Sequence, residues 1–366
     1  MIKVPTEVAL AWRLRRHYLT GPGAASVEQV VERLIGVGVT PTGSGDPEVS
    51  VRLRLAGSEP DALRDAFRAG RLLAVYAFRG ATQYLTPDQA AVHLAVRCAG
   101  RQWQIASWRS HYRLEPDDWP GLLALIEAAA QQPAGWDELA AAVAAEPRFA
   151  HLAQEFTNRN HTLMKPFMWQ GAVSFGPSRN GQTTFQALSG NPSWPGLVEL
   201  DQAGPRAVLA YLDAFGPATE DHLQYWLAAG LSAGKRRVND WLKQVSAELV
   251  EVELNQGPAL IRQRHLDGLR AATPDGSVHL LPGYDQWVVG AGTGEESIVP
   301  PHLRPAATKG SCVVLLDGRV VGTWSRNKSV VQVDRGAAMP PTHAVAAAVA
   351  RLAERTGQGL SLKITS

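Results

Sequence analysis

The sequence predicts an α+β fold assembled from a recurring unit, in which short amphipathic helices are followed by two β-prone runs joined by a turn. Three observations carry this. The 366 residues exceed one ordinary domain and allow more than one apolar core. A composition of 45% hydrophobic and 19% charged residues belongs to a folded chain. Pro- and Gly-rich punctuation at 116–120, 133–135, 190–196, 273–276 and 290–305 bounds segments whose apolar period turns from helical to alternating.

In the first copy, residues 8–17 make an amphipathic helix, and Ser26 with Gln29 can open the next as a capping box. A helix over 61–69 and strands over 72–78 and 82–85, turning at Arg79-Gly80, complete it. The second copy has a helix over 136–145 and strands over 172–175 and 183–187, joined through Asn180-Gly181. Pro166 should interrupt the helix expected before that hairpin, because proline lacks the amide N–H that a helix interior needs.

The third copy is the sharpest. Pro205 opens a helix that ends at Phe215, Thr219 caps a second, and Ser232 caps a third. In that third helix Val238, Trp241, Leu242 and Val245 repeat at helical spacing and bury one face, while Arg236, Asn239, Asp240 and Lys243 repeat on the other. Strands over 249–254 and 259–262, turning at Asn255-Gln256-Gly257, then supply a two-stranded wing. Three helices and a wing make a winged helix, whose last helix can enter a major groove; the same fold also serves protein interaction.

Charge is balanced overall, 36 Lys and Arg against 34 acids, so local distribution decides what the surface attracts. From residue 301 onward nine basic residues face three acidic ones. Residues 97–113 hold four arginines and no acid, interleaved with Trp103, Trp108 and Tyr112. Either segment suits phosphate, and either suits a solvated face with its aromatics turned inward.

Several chemistries are excluded. Cys98 and Cys312 are far apart, which rules out a disulfide framework and a cysteine zinc site and fits a cytoplasmic protein. No HExxH, GxSxG or Walker lysine occurs, and no metal site is expected. Gly290-Ala291-Gly292-Thr293-Gly294 superficially matches a dinucleotide loop, but Pro300-Pro301 follows where the phosphate-binding helix should run. We therefore expect a mobile surface loop there and no nucleotide cofactor. The opening residues lack a signal-peptide core, and no apolar run is long enough to span a membrane.

A set of motifs, in order, carries a resemblance: Phe78-Arg79-Gly80-Ala81-Thr82-Gln83; Gly171 to Gly176 with Pro177; Gly216-Pro217-Ala218-Thr219 with Trp226; Leu280-Leu281-Pro282-Gly283-Tyr284-Asp285; and Asp317-Gly318-Arg319-Val320-Val321-Gly322-Thr323-Trp324. Together they resemble the AlkZ/YcaQ-like winged-helix family of bacterial DNA glycosylases, over nearly the whole chain. The resemblance implies tandem winged helices with a C-terminal β-barrel-like domain, forming a concave basic channel around double-stranded DNA. It also implies excision of alkylated or crosslinked purines by a monomer that needs no metal or cofactor. The expected divisions are 1–115, a first winged helix with a helical extension; 116–195 and 196–275, the second and third; and 276–366, the β-rich domain.

The family's catalytic Gln-x-Gln or Gln-x-Asp motif is absent from this sequence: Gly38 and Thr40 stand at its two positions. Cleaving a glycosidic bond builds positive charge on the sugar and needs a positioned water, which a carboxylate or amide serves and glycine cannot. Asp46, Glu48 and Gln83 are the candidate substitutes, whereas Gln102-Trp103-Gln104 repeats the motif's letters in the wrong segment. The expected DNA contacts are Arg79, Arg236, Asn239, Lys243, Trp324, Arg326 and Lys328. Function is thus expected to be DNA binding with doubtful catalysis, against the alternatives of an active glycosylase and a winged-helix regulatory protein.

Overall fold

A computed structural model describes residues 2–39, 46–57, 59–229, 232–334 and 338–365. It is a mixed α+β chain that divides into two compact units. One comprises Met1–Ala66, Leu209–Tyr225 and Lys243–Ser366; the other comprises Phe67–Val208 and Trp226–Leu242.

The first unit is organised around a five-stranded sheet in the order Val278–Leu281, Cys312–Leu316, Arg319–Asn327, Val330–Asp334, Ser361–Thr365. Its strands alternate between two cores, as the pleat requires. Val314 faces Val345, Ala348 and Leu352 of helix Thr342–Thr356, while Val313 and Leu315 face Leu10, Leu14 and Trp287. The sheet is open, which corrects the expected barrel-like closure. Helix Thr342–Thr356 is the crossover that returns the chain parallel to Val330–Asp334, so the last strand becomes an edge.

In the same unit, helix Thr6–Arg16 is joined to the end of helix Leu200–Phe215 by cations and an imidazole. Arg13 donates to the Phe215 carbonyl at 2.7 Å, Arg16 to that of Asp213 at 3.0 Å, and His17 Nε2 lies 2.8 Å from that of Ala214. Carbonyls at a helix C-terminus have no partner within the helix, and positive groups suit them. Hairpin Leu249–Leu254 with Gly257–Arg262 forms as expected, and Ile2–Lys3 adds a parallel third strand beside it. Ser26 accepts from the Gln29 amide as expected, while Gln29 reaches back to the amide of Ala25.

In the second unit the strands run Thr82–Leu85, Leu73–Tyr76, Val173–Arg179, Gln182–Ala187, Ala134–Gly135. The hairpins of the first and second copies therefore share a sheet, meeting at Ala74 opposite Phe175. Asn180 and Gly181 turn the second hairpin with φ of 52° and 74°, the left-handed pair that a tight two-residue turn demands. Trp103, Trp119, Trp169 and Phe167 form an aromatic core beside it.

Three local expectations are corrected. Helix His161–Trp169 continues through Pro166, because burial of Leu163, Met164, Phe167 and Trp169 outweighs one lost backbone bond. Helix Leu200–Phe215 begins upstream of Pro205, which lies inside it. Ser232 donates backward to the Leu227 carbonyl at 2.7 Å rather than capping helix Lys235–Gln244.

Candidate nucleic-acid interface

Helix Lys235–Gln244 follows its apolar period. Val238, Trp241 and Leu242 are buried, and the Trp241 ring lies against Gly204, where an added Cβ would come within 2.0 Å of it. That contact commits one face to the interior and turns the other outward. Arg236, Asp240 and Lys243 are exposed and Asn239 is half-buried. Arg236 has no partner among the described residues, whereas Asn239, Asp240 and Lys243 each have one.

The second cationic feature is the tip of hairpin Arg319–Asn327 with Val330–Asp334, whose residues 325–329 are all exposed. Lys328 turns the hairpin with φ of 53°. Arg326 donates to the side chain of Gln358. Trp324 differs from its neighbours: only 8% exposed, it donates its indole N–H to the Leu281 carbonyl at 3.0 Å and belongs to the sheet core. Its ring is held inside the sheet, while the neighbouring residues 325–329 are exposed. Arg79 is exposed at the turn of the first hairpin, with φ of 52°.

Arg97 of the aromatic-basic stretch lies 3.9 Å from the Trp169 ring centroid and donates to Gln102. Trp103 and Tyr112 are buried, while Arg101, Arg109 and Arg113 are exposed. Arg101, Arg109 and Arg113 are therefore solvated cations beside the inward-facing Trp103 and Tyr112, while Arg97 is buried and Trp108 half-buried.

Among the motif positions, Gly38 ends the short strand Val37–Gly38 and is half-buried. Thr40 lies outside the described residues. The three candidate substitutes are placed differently. Asp46 caps helix Pro47–Arg52 by accepting from the Val49 amide at 3.0 Å. Glu48 accepts from the amides of Leu63 and Arg64, and burial raises its carboxyl above the ordinary glutamate range. Gln83 belongs to the other unit; it is 3% exposed, and its Oε1 has no partner among the described residues.

The glycine-rich run from Gly290 is not a mobile surface loop. Gly290 and Gly292 are buried, and a Cβ at Gly290 would meet the Phe215 ring at 1.9 Å. These glycines admit aromatic rings where a dinucleotide motif admits a phosphate.

Sequence reasoning missed the ion pair beneath the 280–285 motif. Asp285 and Arg54 are fully buried and joined at 2.7 Å, and Asp285 also accepts from Ser50 Oγ at 2.6 Å and the Trp287 amide at 2.9 Å. The one available signal was an aspartate ending an apolar run. Among the described residues no cluster of His, Cys, Asp or Glu is arranged to hold a metal, and no helix is long and apolar enough to cross a membrane.

A family model for AlkZ-like DNA glycosylases matches residues 31–358. The chain is 29% identical over 337 residues to an interstrand DNA cross-link repair glycosylase of Streptomyces sahachiroi, covering 88% of each chain. It is also similar to the solved structure of the Streptomyces sahachiroi DNA glycosylase AlkZ, with a TM-score of 0.92 and 28% identity over the whole of both chains.

Proposed function

The chain belongs to the AlkZ-like DNA glycosylase family, and from that membership we propose that it binds duplex DNA bearing alkylated or crosslinked purines and excises them very slowly or not at all. The observation that carries the binding is helix Lys235–Gln244, which buries Val238, Trp241 and Leu242 and leaves Arg236 exposed, with no partner among the described residues. With the helices before it and the hairpin after it, the segment reads as a winged helix whose last helix meets the duplex. Arg79, Lys243, Arg326 and Lys328 supply further phosphate contacts, and Asn239 a polar one. The relative's cross-link repair supports the substrate class. Gly38 supports the slow chemistry, since it offers no group to hold water or answer charge on the sugar.

The test of binding is its salt dependence. If about six phosphates are neutralised, the log-log slope of affinity against salt is about −5, and Arg236→Ala or Lys328→Ala reduces its magnitude by about one. Binding that ignores salt, with both variants unchanged, would overturn the assignment.

A second reading rests on Gln83. Its buried amide oxygen, with no partner among the described residues, is a group able to orient water, whereas Asp46 and Glu48 already accept from backbone amides. Under that reading the protein turns over, and Gln83→Ala abolishes turnover while leaving duplex affinity intact.

A further inference from the structure

A cavity of about 360 Å³ in the first unit lies apart from every residue assigned to DNA above. Arg16, Tyr18, Gln29, Arg33, Asp213 and Arg264 line it. Three guanidinium groups face it, and among the described residues each is held by only part of its fork. Arg16 donates Nε and Nη2 to the Asp213 carbonyl at 3.2 and 3.0 Å, leaving Nη1. Arg33 lies 5.2 Å from the Tyr18 ring centroid and donates Nη1 to the Arg16 carbonyl at 3.4 Å, leaving Nε and Nη2. Arg264 donates Nη2 to Asp213 Oδ2 at 2.6 Å, leaving Nε and Nη1.

The negative charge in the wall does not balance them. Asp213 divides its two oxygens among Arg262, Arg264 and His265. Glu32 is the other acid lining the cavity and has a partner of its own. Burial, and then the neighbouring charge of Arg33, pull the Arg16 guanidinium down to about 10, and the nearby carboxylate of Asp213 offsets this only in part. Planar forks with spare parallel N–H groups match the oxygens of a tetrahedral dianion better than chloride.

We propose that this cavity is a phosphate-binding site, gripped by Arg16, Arg33 and Arg264. The phosphate is either a backbone group of DNA or a free phosphate, and the inference holds whether or not the chain binds duplex. Inorganic phosphate is the probe. Titrated against sodium chloride at matched ionic strength, phosphate at about ten times its dissociation constant should raise the melting temperature by roughly 2 to 4 °C. Arg33→Gln and Arg264→Gln should each reduce phosphate affinity at least tenfold. Arg264 is exposed at the cavity mouth, so Arg264→Gln keeps the test valid if Arg33→Gln does not fold. Duplex that displaces phosphate from the unmodified protein assigns the site to a DNA backbone group; duplex that binds alongside it assigns the site to a free phosphate. Equal melting temperatures in phosphate and chloride, with both variants indistinguishable from the unmodified chain, overturn the proposal.

Discussion

Asp285 and Arg54 form a fully buried ion pair, and each makes further hydrogen bonds, so the two are stable together and costly apart. Asp285→Ala strands the guanidinium charge in the interior and should cost about 3 to 5 kcal/mol in denaturant unfolding. A loss below about 1 kcal/mol would contradict this role. Most residues that carried the family resemblance likewise serve the fold: Thr219 accepts from the His222 amide, Trp226 stacks on Phe78 with ring centroids 4.4 Å apart, and Gly318 accommodates the Trp287 ring. The Thr219 cap is local and legible in the sequence, whereas the ring contacts of Trp226 and Gly318 are not, because their partners are distant along the chain. Asp46 and Glu48 were legible as acids near the motif. That both accept from backbone amides depends on where helices Pro47–Arg52 and Ala62–Arg68 begin, and spacing alone does not give that.

Elements with a strong apolar period were read correctly. Helix Lys235–Gln244 buries the residues its spacing selects, and the hairpins at Arg79-Gly80, Asn180-Gly181 and Asn255-Gln256 form where turn residues separate β-prone runs. Punctuation by single residues was less dependable. Pro166 and Pro205 both lie inside helices, where tertiary burial overrides a lost hydrogen bond, and Ser232 closes the preceding helix instead of opening the next. The contact that sets the outward face of helix Lys235–Gln244 is the Trp241 ring on Gly204. Gly204→Ala should therefore cost about 1 to 3 kcal/mol and weaken DNA binding without touching a cation. Thermal unfolding and a duplex titration check this; an unchanged melting temperature would mean the ring is not what orients the helix.

Across the molecule, two carboxylates tie stability to acid. Burial alone would raise Asp213, but hydrogen bonds from His265 and Arg264, with Arg262 nearby, hold it at about 2. Glu295 is likewise desolvated yet held at about 2 by His222 and Ser297. Both bind protons less readily folded than unfolded, so their contribution is complete above the ordinary carboxylate range and is lost as pH falls from about 4 to about 2. Asp213→Asn and Glu295→Gln should each remove stability on the order of 2 kcal/mol at neutral pH and flatten that acid limb. At this scale the sequence conveyed an α+β chain with recurring helix and hairpin segments. It did not convey the open C-terminal sheet or the sheet shared by two hairpins, since strand order depends on pairings between segments far apart. Whether duplex binding outlasts chemistry in this protein is decided by single-turnover release of 7-methylguanine or a bulkier purine adduct from duplex DNA. Saturable duplex binding is expected, with excision reduced at least about 100- to 1000-fold relative to the Gly38→Gln, Thr40→Asp double variant. Excision by the unmodified protein at the rate of that variant would contradict that expectation.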